Sequence, residues 1–233
     1  MPRRARLMLP HVPVHVIQRG NNRQACFFAD DDYRFYLDWL GEYAEREVCR
    51  LHAYVLMTNH VHLLLSSDTA QGVGRLMKRL GQRYVQYINR SYRRSGTLWE
   101  GRYRSCLAGE GAYVLSCYRY IELNPVRAAM VEHPGQYRWS SYGANAQGEA
   151  SELLTPHSLY KRLGVGAKER QRAYRDLFRY QLDSGLVDQI RKATNGNYAL
   201  GSERFEQEVA TMLRRRVTPG KSGRPSSRSE KSG

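Results

Sequence analysis

The chain of 233 residues carries 37 Lys and Arg against 22 Asp and Glu, a formal charge of +15, with 41% hydrophobic and 11% aromatic residues. That is enough apolar material for one domain with an appendage, and too much for a disordered chain. No apolar run approaches the ~20 residues of a membrane span, no apolar stretch follows the basic start as a secretory signal requires, and the four cysteines (Cys26, Cys49, Cys106, Cys117) lack disulfide-framework or zinc-finger spacing; a soluble, cytoplasmic protein with reduced thiols is expected.

In chain order, residues 11–18 alternate apolar and polar and predict a strand, ended by the run Arg19–Arg23. Asp30, Asp31 and Asp32 then supply an acidic first turn for a helix to about Glu47, with Phe35, Leu37, Trp39, Leu40 and Tyr43 as expected buried positions. Two strand-like runs follow, about 50–57 and 60–66, joined by a turn at Thr58 and Asn59. A basic amphipathic helix is expected over about 72–92, with Leu76, Leu80, Tyr84 (or Val85) and Ile88 at helical spacing. A short strand at about 103–107 and a helix at about 112–123, stopped near Asn124 and Pro125, complete the pattern. The order βαββαβ predicts an α+β, ferredoxin-like (RRM-like) fold, with an antiparallel sheet and helices on one face.

Past Pro134 the pattern weakens: 139–150 reads as loop, and 156–195 holds two or three short helices, among them one over 169–180. Ser202 caps a predicted helix to Arg215 whose apolar side is Phe205, Val209, Met212 and Leu213. From Pro219 the Gly, Ser, Pro, Lys and Arg composition predicts disorder. The expected division is a domain over 1–145, a helical extension over 146–217 and a disordered basic tail over 218–233.

The charge is concentrated. Residues 75–104 hold nine basic residues and one acid, Glu100; residues 212–233 hold seven and one acid, Glu230. The first block interleaves its arginines with Tyr84, Tyr87, Tyr92, Trp99 and Tyr103. Guanidinium groups neutralise phosphates and aromatic faces stack unpaired bases, so a nucleic-acid partner is favoured over an acidic protein or a membrane surface. Arg79, Arg83, Tyr84, Tyr87, Trp99, Arg102 and Tyr103 are the candidate DNA contacts.

Two short elements carry possible chemistry. His60 and His62, two apart on a strand, share one face and form half of a divalent-metal site, although a His-x-His triplet alone also suits a surface or packing role. Tyr120 and Asn124, four apart on a helix, share a face; taken alone, a packed aromatic and a helix stop before proline is the preferred reading of the pair.

Together, four stretches closely resemble the REP-associated tyrosine transposases, within the single-tyrosine (IS200 TnpA-like) transposases of the HUH endonuclease superfamily. They are His15–Arg23, Met57–Leu63, Gly96–Tyr103 and Arg119–Arg127, so the resemblance covers roughly 10–145 and extends loosely to 193–201 and the basic end. It implies that His60, His62 and Asn124 ligate Mg²⁺ or Mn²⁺, which polarises the scissile phosphate. It further implies that Tyr120 attacks phosphorus to give a 5′-phosphotyrosine link, with DNA cleaved and rejoined without ATP. The implied substrate is single-stranded or hairpin DNA, REP-like, and the assembly a monomer or a homodimer. Tyr118 projects from another helix face and is not the expected nucleophile. The rival reading is a non-catalytic DNA- or RNA-binding module that stacks bases on an open sheet.

Overall fold

The computed structural model describes residues 4–109 and 111–220. Its elements follow the expected order through β1 (Val14–Arg19), α1 (Asp30–Arg46), β2 (Cys49–Met57), β3 (His60–Ser67), α2 (Gly72–Ser91), β4 (Arg104–Ala108) and α3 (Ala112–Glu122). Four strands are antiparallel in the ferredoxin-like order β2-β3-β1-β4. The sequence reading lacks one strand: β5 (Ala199–Leu200) pairs parallel to β4, so the sheet is mixed and five-stranded.

The first face carries α1 and α2. Asp32 starts α1 by reaching back: its Oδ2 accepts from the backbone N–H groups of Phe28 at 2.7 Å and Ala29 at 2.9 Å, two of the donors a helix start leaves unpaired. Its Oδ1 and Oδ2 also accept from the hydroxyls of Tyr87 and Tyr92, each at 2.8 Å, so one buried carboxylate ties α1 to α2. The buried stripe of α1 is Tyr36, Leu40, Tyr43 and Ala44. Phe35, expected inside, lies one position off that stripe and is 39% exposed, its ring against Trp39 and Tyr87. On α2 the stripe falls as predicted, with Leu76, Leu80, Tyr84 and Ile88 buried. Each such aliphatic side chain contributes roughly 1.5–3 kcal/mol by leaving water.

The second face is not open. Val114, Cys117, Tyr118, Tyr120 and Ile121 of α3 pack on Ala53, Val55, Leu64 and Cys106 of the sheet, joined by Tyr142, Tyr160, Tyr174 and Ile190 from the rest of the chain. Helices therefore cover both faces, not one, which explains why β2 and β3 read as near-continuous apolar runs rather than strict alternation. Gly111, at φ +78° and ψ −136°, takes a conformation that a side chain disfavours and turns the chain into α3.

The C-terminal half builds this second layer. A four-residue turn of helix, α4 (Asn124–Arg127), continues from α3; α5 (Ser158–Lys161), α6 (Ala167–Asp176) and α7 (Ser184–Gly196) follow, with α8 (Glu203–Leu213) last. Glu122, fully buried, accepts from Ser141 Oγ at 2.5 Å, Asn145 Nδ2 at 2.8 Å and the Tyr174 hydroxyl at 2.6 Å, knitting α3 to α6 and the turn between. On α8 only Val209 is buried; Met212, expected on the apolar side, is exposed.

Both sheet edges are occupied by the same chain. β4 is covered by β5, while β2 makes bridges to Ser140 through Val55 and to Leu154 through Leu51. Among the described residues no helix is long and apolar enough to cross a membrane. The predicted disordered tail, with its Gly223-Arg224-Pro225 run, lies outside the described residues beyond Gly220.

Candidate active site and nucleic-acid interface

The site forms where β1 and β3 run side by side beneath α3. Their register sets Ile17 against His62 and Arg19 against His60, and on β4 places Arg104 against Ile17 and Cys106 against His15. Period two then sends His15, Ile17, Arg19, His60 and His62 to one face. The His60 and His62 rings lie 5.1 Å apart between centroids, edge to face.

Tyr120 hangs from α3 over these rings. Its centroid is 5.7 Å from that of His62 and 5.6 Å from that of His15, both near-perpendicular. The Arg127 guanidinium sits 4.0 Å over the phenol ring, and its Nη2 donates to the Tyr120 carbonyl at 2.9 Å, which fixes the backbone that carries the ring. Asn124, one helical turn on, lines the same cavity of about 380 Å³ as Tyr120, His15, His60 and His62. Tyr118 is fully buried on another face of α3, stacked on Tyr160, and its oxygen accepts from the His157 N–H.

Burial decides the charge of the imidazoles. Desolvation, then the Arg19 charge, pushes His60 down to about 4; burial, then Arg127, pushes His15 down to about 3; His62 is driven well below its ordinary value by burial and then by His15. Neutral imidazole is the ligating form. His60 Nδ1 faces Asn59 Oδ1 at 2.6 Å while Asn59 Nδ2 donates to the Arg23 carbonyl, so His60 Nδ1 carries the proton and Nε2 keeps the lone pair. The Asn124 side chain is also within hydrogen-bonding reach of His60. Among the described residues no group of three or more His, Cys, Asp and Glu is arranged to hold a metal ion. The donor set on offer is two neutral imidazoles and one amide; its nitrogen donors suit Mn²⁺ better than the oxygen-seeking Mg²⁺, and its amide oxygen suits either.

The sequence-predicted DNA contacts divide. Tyr84 is fully buried with its hydroxyl donating to the Cys26 carbonyl at 2.7 Å, and Trp99 is 5% exposed, so neither presents a face for a base. Tyr87 is tied to Asp32; Arg79 is held by Glu47 at 2.9 Å and Arg83 by Glu42 at 2.5 Å. Tyr103 is 8% exposed, with Arg6 stacked at 3.6 Å over its ring. The amphipathic spacing that makes α2 a good core helix turns Tyr84 inward, while Arg79 and Arg83 stay part-exposed in ion pairs with residues at and near the end of α1. Arg102 differs: it is exposed and lines three cavities, one of about 730 Å³ that it shares with Trp99 and Tyr103 and two of about 490 and 350 Å³. The latter two lie toward the tyrosine. Those cavities share Arg104 and Asn195 with the tyrosine cavity, and Arg19, Arg23, Arg4 and Arg6 complete a basic path with Glu100 as its only acid among the described residues. His15, Arg19, Arg104, Arg127 and Thr194 are thus site residues without an assigned role in the sequence reading. The alternation through His15, Ile17 and Arg19 was the available signal for two of them.

Because both sheet faces are covered, the sheet offers no open aromatic platform of the kind RNA-recognition domains use. Residues 9–124 match the model of the IS200-like transposase family. A solved REP-associated tyrosine transposase, bound to a REP hairpin, superposes with a TM-score of 0.54 at 14% identity, over 68% of this chain and 96% of its own. A candidate transposase from Deinococcus radiodurans R1 reaches a TM-score of only 0.37 at 20% identity, over 52% of this chain and 96% of its own. No curated protein matches in sequence. Through residues 9–124 the chain belongs to the IS200-like transposases, and its fold is that of a REP-associated tyrosine transposase.

Proposed function

We propose that this protein is a REP-associated tyrosine transposase that binds single-stranded DNA or the foot of a hairpin, cuts it, and rejoins it through Tyr120. The observation that carries the reading is the convergence, within one chain, of the Tyr120 ring on the His62 and His15 rings in an arginine-lined cavity. The Tyr120 oxygen attacks phosphorus and the bond to the 3′-oxygen breaks. That oxygen leaves with the electron pair and takes a proton, giving a 5′-phosphotyrosine and a 3′-hydroxyl. Rejoining is the reverse displacement by an incoming 3′-hydroxyl, with the phenol as leaving group, so the phosphodiester energy is conserved.

Arg127 positions the phenol and places positive charge where the phosphoryl group gathers negative charge. His60, His62 and Asn124 are the residues that would hold Mg²⁺ or Mn²⁺, which supplies electrostatic polarisation of the phosphate. The basic path through Arg19, Arg102 and Arg104 carries the strand to the site. In this reading 1–145 is the transposase domain, 146–217 a helical extension that completes its second layer, and the protein acts in the cytoplasm with its tyrosine used in cis.

The test is incubation with end-labelled REP-type hairpin DNA and Mn²⁺, followed by denaturing electrophoresis. A protein–DNA adduct that vanishes in Tyr120→Phe is expected. Persistence of the adduct in that variant rejects the nucleophile; hairpin binding with no adduct at all returns the protein to the class of non-catalytic binders.

A further inference from the structure

We infer that Thr194 of α7 and His15 of β1 are positioning residues that hold His62 in one tautomer, with the proton on Nδ1 and the lone pair on Nε2. The inference rests on the reading of His62 as a metal ligand and adds what prepares it for that task.

The argument follows protons. Thr194 Oγ1 lies 2.7 Å from the Ile190 carbonyl, one turn back along α7, and donates its single proton there. Toward His15 Nδ1, 3.0 Å away, the hydroxyl is therefore an acceptor, so His15 carries its proton on Nδ1. His15 is 1% exposed and His62 2% exposed; the cavity they line contains Arg19, Arg104, Arg127 and Arg191 and no carboxylate. A cationic ring has no counter-charge there, and a neutral imidazole holds one proton. His15 Nε2 is then an acceptor, and His62 Nδ1, 2.8 Å from it, must donate. The one proton-free nitrogen of His62 is then Nε2. The Cys106 thiol, 3.3 Å from Thr194 Oγ1, fits as a further donor to the same oxygen.

The chain thus runs from the Ile190 carbonyl through Thr194 and His15 to His62, crossing from α7 to β1 to β3. Asn59 imposes the same tautomer on His60 from the other side. Second partners of this kind orient a ligating histidine and raise its basicity. Residues 190 and 194 lie beyond the stretch that matches the transposase family, so the extension contributes directly to the site rather than only covering the sheet.

The test is a long-range proton–nitrogen correlation spectrum of histidine-labelled, full-length protein without metal, paired with Mn²⁺ titration followed by electron paramagnetic resonance. In the wild type His62 should appear wholly as the Nδ1–H form. Thr194→Val keeps the shape but removes the acceptor; His15 can then donate from Nε2, and part of His62 should shift to the Nε2–H form. Mn²⁺ affinity should fall on the order of tenfold. Thr194→Ser should restore both readouts, and His15→Gln, which can still accept from His62 and donate to Thr194, should retain the Nδ1–H form. An unchanged His62 spectrum in Thr194→Val, a wild-type His62 in the Nε2–H form, or equal Mn²⁺ affinity in the two proteins overturns the inference. A wild type that binds no Mn²⁺ yet shows the expected tautomer shift removes the metal reading and leaves the positioning chain standing.

Discussion

Asp32 offers the sharpest test of how the α1–α2 layer is held, because one carboxylate with no exposed surface accepts four hydrogen bonds. In Asp32→Ala the part-buried Phe28 and Ala29 N–H groups lose a charged acceptor, at about 1.5 kcal/mol each. The Tyr87 and Tyr92 hydroxyls lose a charged acceptor too, but their rings reach the surface and water replaces part of it, leaving roughly 0.5 kcal/mol each. A loss of about 4 kcal/mol follows, which for a chain of this size lowers Tm by roughly 8–16 °C. Urea unfolding and thermal melts read it directly. A second readout is independent of stability: burial and then the Asp32 charge raise both phenols to about 12, so their ultraviolet titration should move down in the variant. A loss below ~1 kcal/mol with an unchanged urea slope, or phenols that titrate as before, refutes the four-bond clamp.

Three further outcomes follow from the same coordinates. Arg19→Ala with Arg104→Ala should weaken binding of single-stranded DNA and lower the salt slope by ~0.7 per lost phosphate contact, whereas Arg79→Ala and Arg83→Ala should leave that slope alone. Arg127→Ala should slow adduct formation on the order of 100-fold with little change in DNA affinity, and Arg127→Lys should rescue poorly because it lacks the planar group over the ring. Burial, opposed by a bond to the Thr155 carbonyl, holds His52 down to about 4, so the unfolded chain takes up the proton first as pH falls. Its stabilisation is complete above pH ~6.5 and is lost between ~6.5 and ~4, a drop of about 3 kcal/mol. Urea unfolding across that range should show a shallower decline in His52→Gln.

The first six elements and α3 were legible in the sequence because each carries a local signal: a period of two in β1, 3.6 in α2, an acidic first turn in α1, and apolar runs of strand length in β2 and β3. Phe35 shows the limit of that reading, since one residue along a helix is 100° of rotation and an aromatic count does not say which ring faces in. The spacings put His60 with His62 and Tyr120 with Asn124 on shared faces, and the resemblance to the tyrosine transposases joined the two pairs; only the pairing of β1 with β3 brings His15 into the same cavity. Thr194 lies on the buried stripe of α7 with Val187, Ile190 and Ala193, a periodicity the sequence does carry, but its partner His15 is 179 residues away and no local pattern names it. The burial of Tyr84 and the ion pair of Arg79 escaped the sequence for a related reason. Composition reports that arginine and tyrosine are abundant on α2, while their partners Cys26 and Glu47 lie on other elements.

The closed borders of the sheet bear on how copies of this protein meet. Strand-to-strand zippering, the easiest route by which two sheets become one, would first require peeling Ala199–Leu200 from one side or the 140–154 segment from the other. Tyr120, His15 and His62 meet within one chain, beneath a sheet whose borders that same chain partly occupies.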